Sequence, residues 1–168
     1  MQGGIIADEC NNVYAGSANG IIKVYRFNGS SFDDDSMPDI IIPGYTGSIY
    51  DLAYNPERNL LYASVKGDDP GITTLALDHS SGRLTARSHV SLHDGAMNYL
   101  SLTRNGSALL GACYGGGYGI TCAVHDGEVS DPIARVEYPN LHSVRASADG
   151  RFAYFVSLGA DLVAQYSI

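Results

Sequence analysis

The feature of this sequence that most restricts its fold is a repeat of nearly fifty residues that occurs four times. Tyr14, Tyr62, Leu110 and Tyr154 take equivalent positions in the four copies, at offsets of 48, 48 and 44 residues. Each copy has a polar turn, a strand of small and aromatic residues, a glycine-containing turn and a second alternating strand. A period of about 40–50 residues is typical of β-propeller blades. We therefore predict an all-β chain of about four four-stranded antiparallel propeller blades.

The strands of each predicted blade are lettered A to D from the centre of the ring outward. The A strands are predicted at 47–54, 96–103 and 141–147, and the D strands at 37–43, 83–90 and 132–139. The paired B and C strands are predicted at 12–17 and 21–27, 60–65 and 71–77, 108–113 and 118–124, and 152–157 and 161–168. The A–B connections NPERN, RNGS and ADGR contain the residue types that tight turns require. No segment of ten residues has a helical spacing of apolar residues, so almost no helix is expected.

The chain is predicted to be one partial propeller domain, residues 1–168, with repeats at about 1–45, 46–93, 94–139 and 140–168. A closed ring of four to eight blades needs roughly 180–360 residues, and the last repeat here ends on a C strand. We expect the remaining blades of a longer polypeptide to complete the ring, in preference to the alternative, a second copy of the chain.

Charge and hydropathy restrict the partners. The net charge of -8 argues against nucleic acid and against an anionic membrane surface, because both would repel the chain. An anionic metabolite held by local arginines is still compatible with that charge. No apolar run reaches the ~20 residues of a membrane span, and the N-terminus has no basic segment followed by an apolar one. A cytoplasmic location is therefore the expectation.

No metal ion and no organic cofactor are predicted. Cys10, Cys113 and Cys122 are odd in number and lack metal-ligand spacing, so we expect reduced thiols that pack rather than react. The three aspartates at 33–35 lack the alternating ligands and closing Glu of a calcium loop. The glycine-rich stretch 112–119 connects two strands and precedes no helix, which argues against a phosphate loop.

Four stretches of the later repeats are more specific than the repeat itself. They are NPERNLLYASV, LDHSSGRLT, TRNGSALLGACYGGG and, above all, LHSVRASADGRFAYFVSLGADLVAQYSI. From about residue 48 to 168 their order and spacing resemble the N-terminal half of the lactonase family of seven-bladed propellers. That family includes bacterial propeller-type 6-phosphogluconolactonases and fungal carboxy-cis,cis-muconate cyclases. The resemblance implies that the four blades are part of a seven-bladed ring.

The resemblance also implies an active site at the central channel, where the A strands begin. His142 opens the A strand of the fourth repeat and matches the family's histidine there. A neutral imidazole at this position can take a proton from water that attacks a lactone carbonyl. The alternative is a histidine that caps the start of the strand by hydrogen bonding. Arg145 is expected on the opposite face of the strand, where it binds phosphate or carboxylate or pairs with an acid of the next blade.

Earlier repeats supply further candidates for substrate binding. Tyr50, Asn98 and Tyr99 lie at the starts of their A strands, so they are predicted to line the same channel mouth. Asp51 lies beside them and either orients water or accepts a hydrogen bond from the neighbouring blade. The family's arginine and glutamate candidates for anion binding and proton transfer come from blades that follow the fourth, so the site is incomplete within this sequence.

Three hypotheses for function follow. The first is a lactone hydrolase that acts on a sugar lactone, phosphorylated or not, such as 6-phosphogluconolactone, or else a related cycloisomerase. Its partner is a small-molecule lactone or anionic metabolite. The second is a non-catalytic propeller that binds a protein or a carbohydrate, since propellers serve many unrelated functions. The third is an inactive truncated copy.

Overall fold

The computed structural model of the chain describes residues 4–33, 39–42 and 47–168. These residues form strands and turns, and none of them lies in a helix with the length and apolar character that crossing a bilayer requires. The described residues contain sixteen strands: β1 Ile5–Ala7, β2 Asn12–Gly16, β3 Ile21–Phe27, β4 Phe32–Asp33, β5 Ile40–Ile41, β6 Ile49–Asn55, β7 Leu60–Val65, β8 Gly71–Asp78, β9 Arg83–Ser91, β10 Tyr99–Leu102, β11 Ala108–Cys113, β12 Tyr118–His125, β13 Glu128–Glu137, β14 Leu141–Ala146, β15 Phe152–Ser157 and β16 Leu162–Ser167.

The strands form four antiparallel sheets in chain order, which confirms the predicted all-β propeller architecture. We call them blade 1 (β1–β5), blade 2 (β6–β9), blade 3 (β10–β13) and blade 4 (β14–β16). In blade 1 both β4 and β5 pair with β3, and part of the D strand predicted at 37–43 lies outside the described residues. The inner strand β1 was not predicted, because three residues are too few to show alternation. The D strand of blade 3 begins at Glu128, earlier than predicted, because β13 continues past an irregularity in its pairing with β12.

The core lies between the blades, and the B strands of blades 2 and 3 are at its centre. All six residues of β7 and all six of β11 are buried. Leu60 and Tyr62 pack toward blade 3, whereas Leu61, Ala63 and Val65 pack toward blade 1, because successive side chains of a strand point to opposite faces. Each fully buried leucine contributes roughly 1.5–3 kcal/mol to stability. Packing between the blades thus holds their A strands side by side.

The antiparallel order gives every blade two distinct ends. The starts of the A strands, the B–C loops and the D–A loops lie at one end, which we call the cleft end. The A–B and C–D turns lie at the other, which we call the turn end. Each A–B turn contains one residue with positive φ: Asn11, Asn59, Gly106 and Gly150. Asn and Gly tolerate this left-handed conformation best, which is the physical reason for the turn residues seen in the sequence.

Candidate active site

A break in strand pairing marks the start of the A strand in blades 2 and 4. The pairing of β6 with β7 skips Tyr50, and the pairing of β14 with β15 skips His142. Such a bulge leaves one residue unpaired and re-aims its side chain. Asn98 has the corresponding position in blade 3, immediately before the first paired residue of β10. Three of the predicted site residues therefore share one structural position.

The bulge also corrects the orientation expected for Arg145. Strict alternation places Arg145 and His142 on opposite faces, but the skipped residue interrupts that alternation. Leu141 and Val144, which are also three residues apart, are both buried in one cluster between blades 3 and 4. His142 and Arg145 are both exposed, and the Arg145 guanidinium lies 5.2 Å from the centroid of the Tyr99 ring. Arg145 is thus adjacent to the predicted site.

A cleft of about 990 Å³ extends along the starts of the A strands. Residues of all four blades line it, from Gly4 in blade 1 to Leu158 in blade 4. Five of the six predicted site residues are among them: Tyr50, Asp51, Asn98, Tyr99 and His142. The sixth, Arg145, does not line the cleft itself, but its guanidinium packs on the ring of Tyr99, which does. The structure therefore brings the predicted residues together, while their roles remain predictions.

The His142 side chain is exposed to the cleft and has one aromatic neighbour. The Tyr114 ring meets the imidazole edge-on, with ring centroids 5.9 Å apart and an interplanar angle of 89°. No described side chain hydrogen-bonds the imidazole nitrogens of His142, so a ring nitrogen is available to accept a proton. The arrangement does not support the strand-capping alternative, because the hydrogen bond that fixes this strand start uses the His142 backbone carbonyl.

Asn98 connects the His142 strand to blade 3. Its side-chain nitrogen Nδ2 donates to the His142 carbonyl oxygen over 2.8 Å. Its side-chain oxygen accepts from the Tyr114 backbone N–H, and its own backbone N–H donates to the Ala112 carbonyl over 2.9 Å. One amide side chain thus holds both His142 and the tyrosine that packs against it. Asn98 therefore fixes the start of the His142 strand relative to blade 3.

Asp51 is a buried acidic group of the cleft and connects blade 2 to blade 3. Its oxygen Oδ2 accepts a hydrogen bond from the Leu100 backbone N–H over 2.7 Å. Burial raises the pKa of the Asp51 carboxyl, and the Leu100 and Leu52 amides and the Arg145 charge oppose that rise only in part. Gly4 permits the close packing of blade 1, because a Cβ there would lie 2.3 Å from the Asp51 oxygen Oδ1. Asp51 therefore holds its proton more tightly than an exposed aspartate.

Sequence reasoning missed a second group of lining residues, at the ends of the B strands. Each is the first residue after its B strand and stands four residues after the repeat position of its blade: Lys66, Tyr114 and Leu158. The Lys66 ammonium donates to the Tyr50 hydroxyl over 2.9 Å, and this hydrogen bond raises the pKa of Lys66. The constant offset from the repeat position was the signal that could have identified these residues.

The three cysteines have free thiols, as predicted: Cys10 is exposed, and Cys113 and Cys122 are buried. Burial raises the pKa of the Cys122 thiol to about 12, so this thiol packs as a neutral group. In the part of the chain that the structure describes, one group of three potential metal ligands converges: Asp8, Cys10 and His79. It lies at the turn end, away from the cleft.

Comparison with known proteins agrees with this architecture. Residues 50–168 match the family described as "Lactonase, 7-bladed beta-propeller". The chain therefore belongs to the lactonase family of seven-bladed β-propellers, and the resemblance seen in the sequence is confirmed. No curated protein sequence matches the chain.

Solved structures show the same fold. The periplasmic gluconolactonase PpgL of Pseudomonas aeruginosa is 25% identical, with a TM-score of 0.76 over 93% of this chain and 49% of that one. A candidate 6-phosphogluconolactonase of Bacteroides fragilis NCTC 9343 is 18% identical, with a TM-score of 0.71 over 91% of this chain and 41% of that one. The β-propeller domain of Cps50 from Myceliophteria thermophila is 13% identical, with a TM-score of 0.77 over 100% of this chain and 54% of that one. The chain thus spans about half the length of these propellers.

Proposed function

We propose that the cleft binds a sugar lactone and that His142 is the general base for its hydrolysis. The observation that supports this most is the position of His142: an exposed imidazole without a hydrogen-bond partner among the described residues, on an A-strand bulge, within the segment that matches the lactonase family. Water attacks the lactone carbonyl carbon while an imidazole nitrogen takes a proton from that water. The carbon–oxygen bond of the ring then breaks, and the ring oxygen leaves as a hydroxyl once it has received a proton. The product is the open-chain hydroxy acid.

Positive charge at the cleft supports the same reaction. The attacked carbonyl oxygen becomes negative in the transition state, and preorganised positive groups stabilise such an oxyanion. Lys66 lines the cleft, and Arg145 contacts it through Tyr99. Neither cation forms an ion pair with an acid of the described residues. Both are therefore available to an anionic transition state or to an anionic product.

The polar and aromatic groups of the cleft favour a sugar over an apolar lactone. Tyr50, Tyr99 and Tyr114 present ring faces and hydroxyl groups, and Asn98 and Lys66 add polar groups. Aromatic rings pack on the apolar faces of a sugar, while the polar groups match its hydroxyls. We propose gluconolactone and its 6-phosphate as substrates, because a gluconolactonase and a candidate 6-phosphogluconolactonase are among the similar structures.

We propose further that additional blades, or a second copy of the chain, complete the cleft beyond blade 4. The outer face of this blade exposes side chains at positions that blade 2 buries: Val163 is 62% exposed where its counterpart Ile72 is buried, and Tyr154 is half-buried where Tyr62 is buried. Uncovered apolar faces of this kind are typical of terminal repeats. Light scattering after size exclusion tests the second-copy alternative, since a dimer has twice the 17.8 kDa mass of the chain.

The test of the proposed function compares two histidines at opposite ends of the blades. His142→Asn is expected to lower kcat for gluconolactone roughly 10²–10⁴-fold, the usual contribution of a general base. His125→Asn, at the end of the C strand of blade 3 next to the C–D turn, is the matched control and is expected to retain full activity. Rates are measured by acid release and corrected for spontaneous hydrolysis. Both variants are made in the protein with its ring completed, and an unchanged rate in His142→Asn, or no catalysis by that complete protein, would reject the proposal.

A further inference from the structure

Three side chains that can bind a metal converge at the turn end, where blade 1 meets blade 2. Asp8 and Cys10 lie in the A–B turn of blade 1, and His79 lies in the C–D turn of blade 2. One potential ligand atom of each lies within 4.8 Å of the others, and Asp8 Oδ2 is 3.4 Å from His79 Nδ1. Ligands bonded to a tetrahedral zinc ion at about 2.0–2.3 Å lie roughly 3.3–3.8 Å apart. The Asp8–His79 pair already has this spacing, so a small movement of the Cys10 thiol toward that pair is sufficient for all three side chains to bind one ion.

The hydrogen bonding of His79 leaves the required lone pair free. In the tautomer that carries its proton on Nε2, this nitrogen donates to the Asn59 oxygen Oδ1, 2.6 Å away. The other nitrogen, Nδ1, then faces the Asp8 carboxylate with a lone pair. His79 Nδ1 and the Asp8 carboxylate then face each other as two hydrogen-bond acceptors without a proton between them. A cation bound between them would accept a lone pair from each.

The groups around the three residues match the outer shell of a metal site. The Asp8 oxygen Oδ2 accepts from Asn12 Nδ2 over 2.8 Å and from the Tyr14 hydroxyl over 3.2 Å. The Asp8 oxygen Oδ1 accepts from the Cys10 backbone N–H over 2.8 Å, which fixes Cys10 beside the carboxylate. Metal-bound carboxylates and histidines normally have such second partners, which orient them. Cys10 is exposed, so an ion can reach the site from solvent.

We propose that Asp8, Cys10 and His79 bind one Zn²⁺ ion, which joins blade 1 to blade 2 at the end opposite the cleft. A thiolate, an imidazole and a carboxylate form a donor set that zinc accepts, with water in the fourth position. Ca²⁺ and Mg²⁺ prefer oxygen ligands throughout. Because binding requires both blades in place, the ion stabilises the folded chain. No sequence motif indicates the site, since Cys10 and His79 lie 69 residues apart.

The experiment measures metal binding directly. The protein is stripped with a chelator, incubated with Zn²⁺, dialysed and analysed for metal content; one Zn²⁺ per chain is expected. Substitution with Co²⁺ is expected to give a thiolate-to-metal absorption band in the near ultraviolet. Cys10→Ser, an exposed and nearly isosteric change, is expected to remove this band and to weaken Zn²⁺ binding at least tenfold. Addition of Zn²⁺ is expected to raise the Tm of the unaltered protein and not that of Cys10→Ser.

A second variant separates metal binding from a simple ion pair. His79→Gln is expected to weaken Zn²⁺ binding as much as Cys10→Ser does, whereas His125→Gln, next to the corresponding turn of blade 3, is expected to bind normally. Circular dichroism checks that each variant is folded. If the stripped protein takes up no Zn²⁺, a proton joins Asp8 to His79 and the proposal is wrong. Zinc binding that survives both substitutions would also overturn it.

Discussion

Two aspartates at opposite ends of the blades have opposite electrostatic environments. Asp8, at the turn end, accepts hydrogen bonds from backbone and side-chain donors of its own turn, and these hold its pKa below the usual value despite burial. Asp51, at the cleft end, is also desolvated, but it has fewer donors, so burial raises its pKa. The Asp8 carboxylate is thus well supplied with hydrogen-bond donors. The Asp51 carboxylate, at the cleft end, accepts fewer hydrogen bonds than the Asp8 carboxylate does.

Other residues follow the same division. Asp78 and Asp149, also at the turn end, each have a pKa of about 2, chiefly because serine hydroxyls donate to their carboxylates. His142, at the cleft end, has an imidazole without a hydrogen-bond partner among the described residues. Unsatisfied ionisable groups favour chemistry, and satisfied ones favour stability. We therefore expect substitutions at the turn end to change stability and substitutions at the cleft end to change activity.

The largest effect on stability is expected from Asp8→Ala. The change leaves the Asn12 amides, the Cys10 N–H and the Tyr14 hydroxyl without their shared acceptor, at a cost of about 2–4 kcal/mol. Urea unfolding of the metal-free protein measures it. Val163→Ala, on the exposed face of blade 4, is the control and is expected to change the free energy of unfolding by less than about 0.5 kcal/mol. Equal losses would show that the turn network adds no stability.

The next largest effect is expected from Asn98→Asp, at the cleft end. An aspartate retains the acceptor for the Tyr114 N–H but loses the donor to the His142 carbonyl. We expect kcat to fall about tenfold while the free energy of unfolding changes by less than about 1 kcal/mol. Asn105→Asp is the matched control at the turn end, because Asn105 uses its side-chain oxygen as an acceptor for Ser107. Loss of stability without loss of kcat would show that Asn98 is only structural.

A smaller effect, of opposite sign at the two ends, is expected in the pH dependence of stability. The folded chain holds the Asp51 proton more tightly than the unfolded chain. The contribution of Asp51 to the free energy of unfolding therefore falls as pH rises from the pKa of the unfolded carboxyl through the raised pKa of the folded one. The contribution of Asp8 to the free energy of unfolding is fully present above the pKa of the unfolded carboxyl, and it is lost as pH falls through the lowered pKa of the folded one. Between pH 3 and 7, the stability of Asp51→Asn relative to wild type should therefore rise, and that of Asp8→Asn should fall. Denaturant titrations at each pH measure both, and slopes of the same sign would contradict this account.

The smallest effect is expected from Lys66→Met. Lys66 is exposed and contributes one charge, so KM for the phosphorylated lactone should rise about 3-fold to 10-fold with little change in kcat. The increase should be smaller for the uncharged lactone. Lys23→Met, in blade 1 and outside the cleft, is the control. Equal KM values for wild type and Lys66→Met with the phosphorylated lactone would remove Lys66 from substrate binding.

The sequence predicted the blades well because each repeats the same strand and turn pattern. It also predicted that the A-strand starts meet, which is why five predicted residues line one cleft. It could not show the bulge at His142, since a register break leaves no mark in a pattern of alternation; the orientation expected for Arg145 failed for that reason. Lys66 and Tyr114 were missed because they follow B strands, and the resemblance to the family points only to the starts of the A strands. The cluster of Asp8, Cys10 and His79 at the turn end forms only where blade 1 meets blade 2, and a local sequence pattern contains no information about such a contact.

The most direct test of the division between the two ends is an NMR titration of the five histidines with gluconate, the product of the proposed reaction. Each ring signal is assigned by substitution, and chemical shifts are followed as gluconate is added. The account predicts that the His142 signal moves in a saturable way, while those of His79 and His125 at the turn end stay in place. An unmoved His142 signal, or saturable movement at the turn end alone, would contradict it.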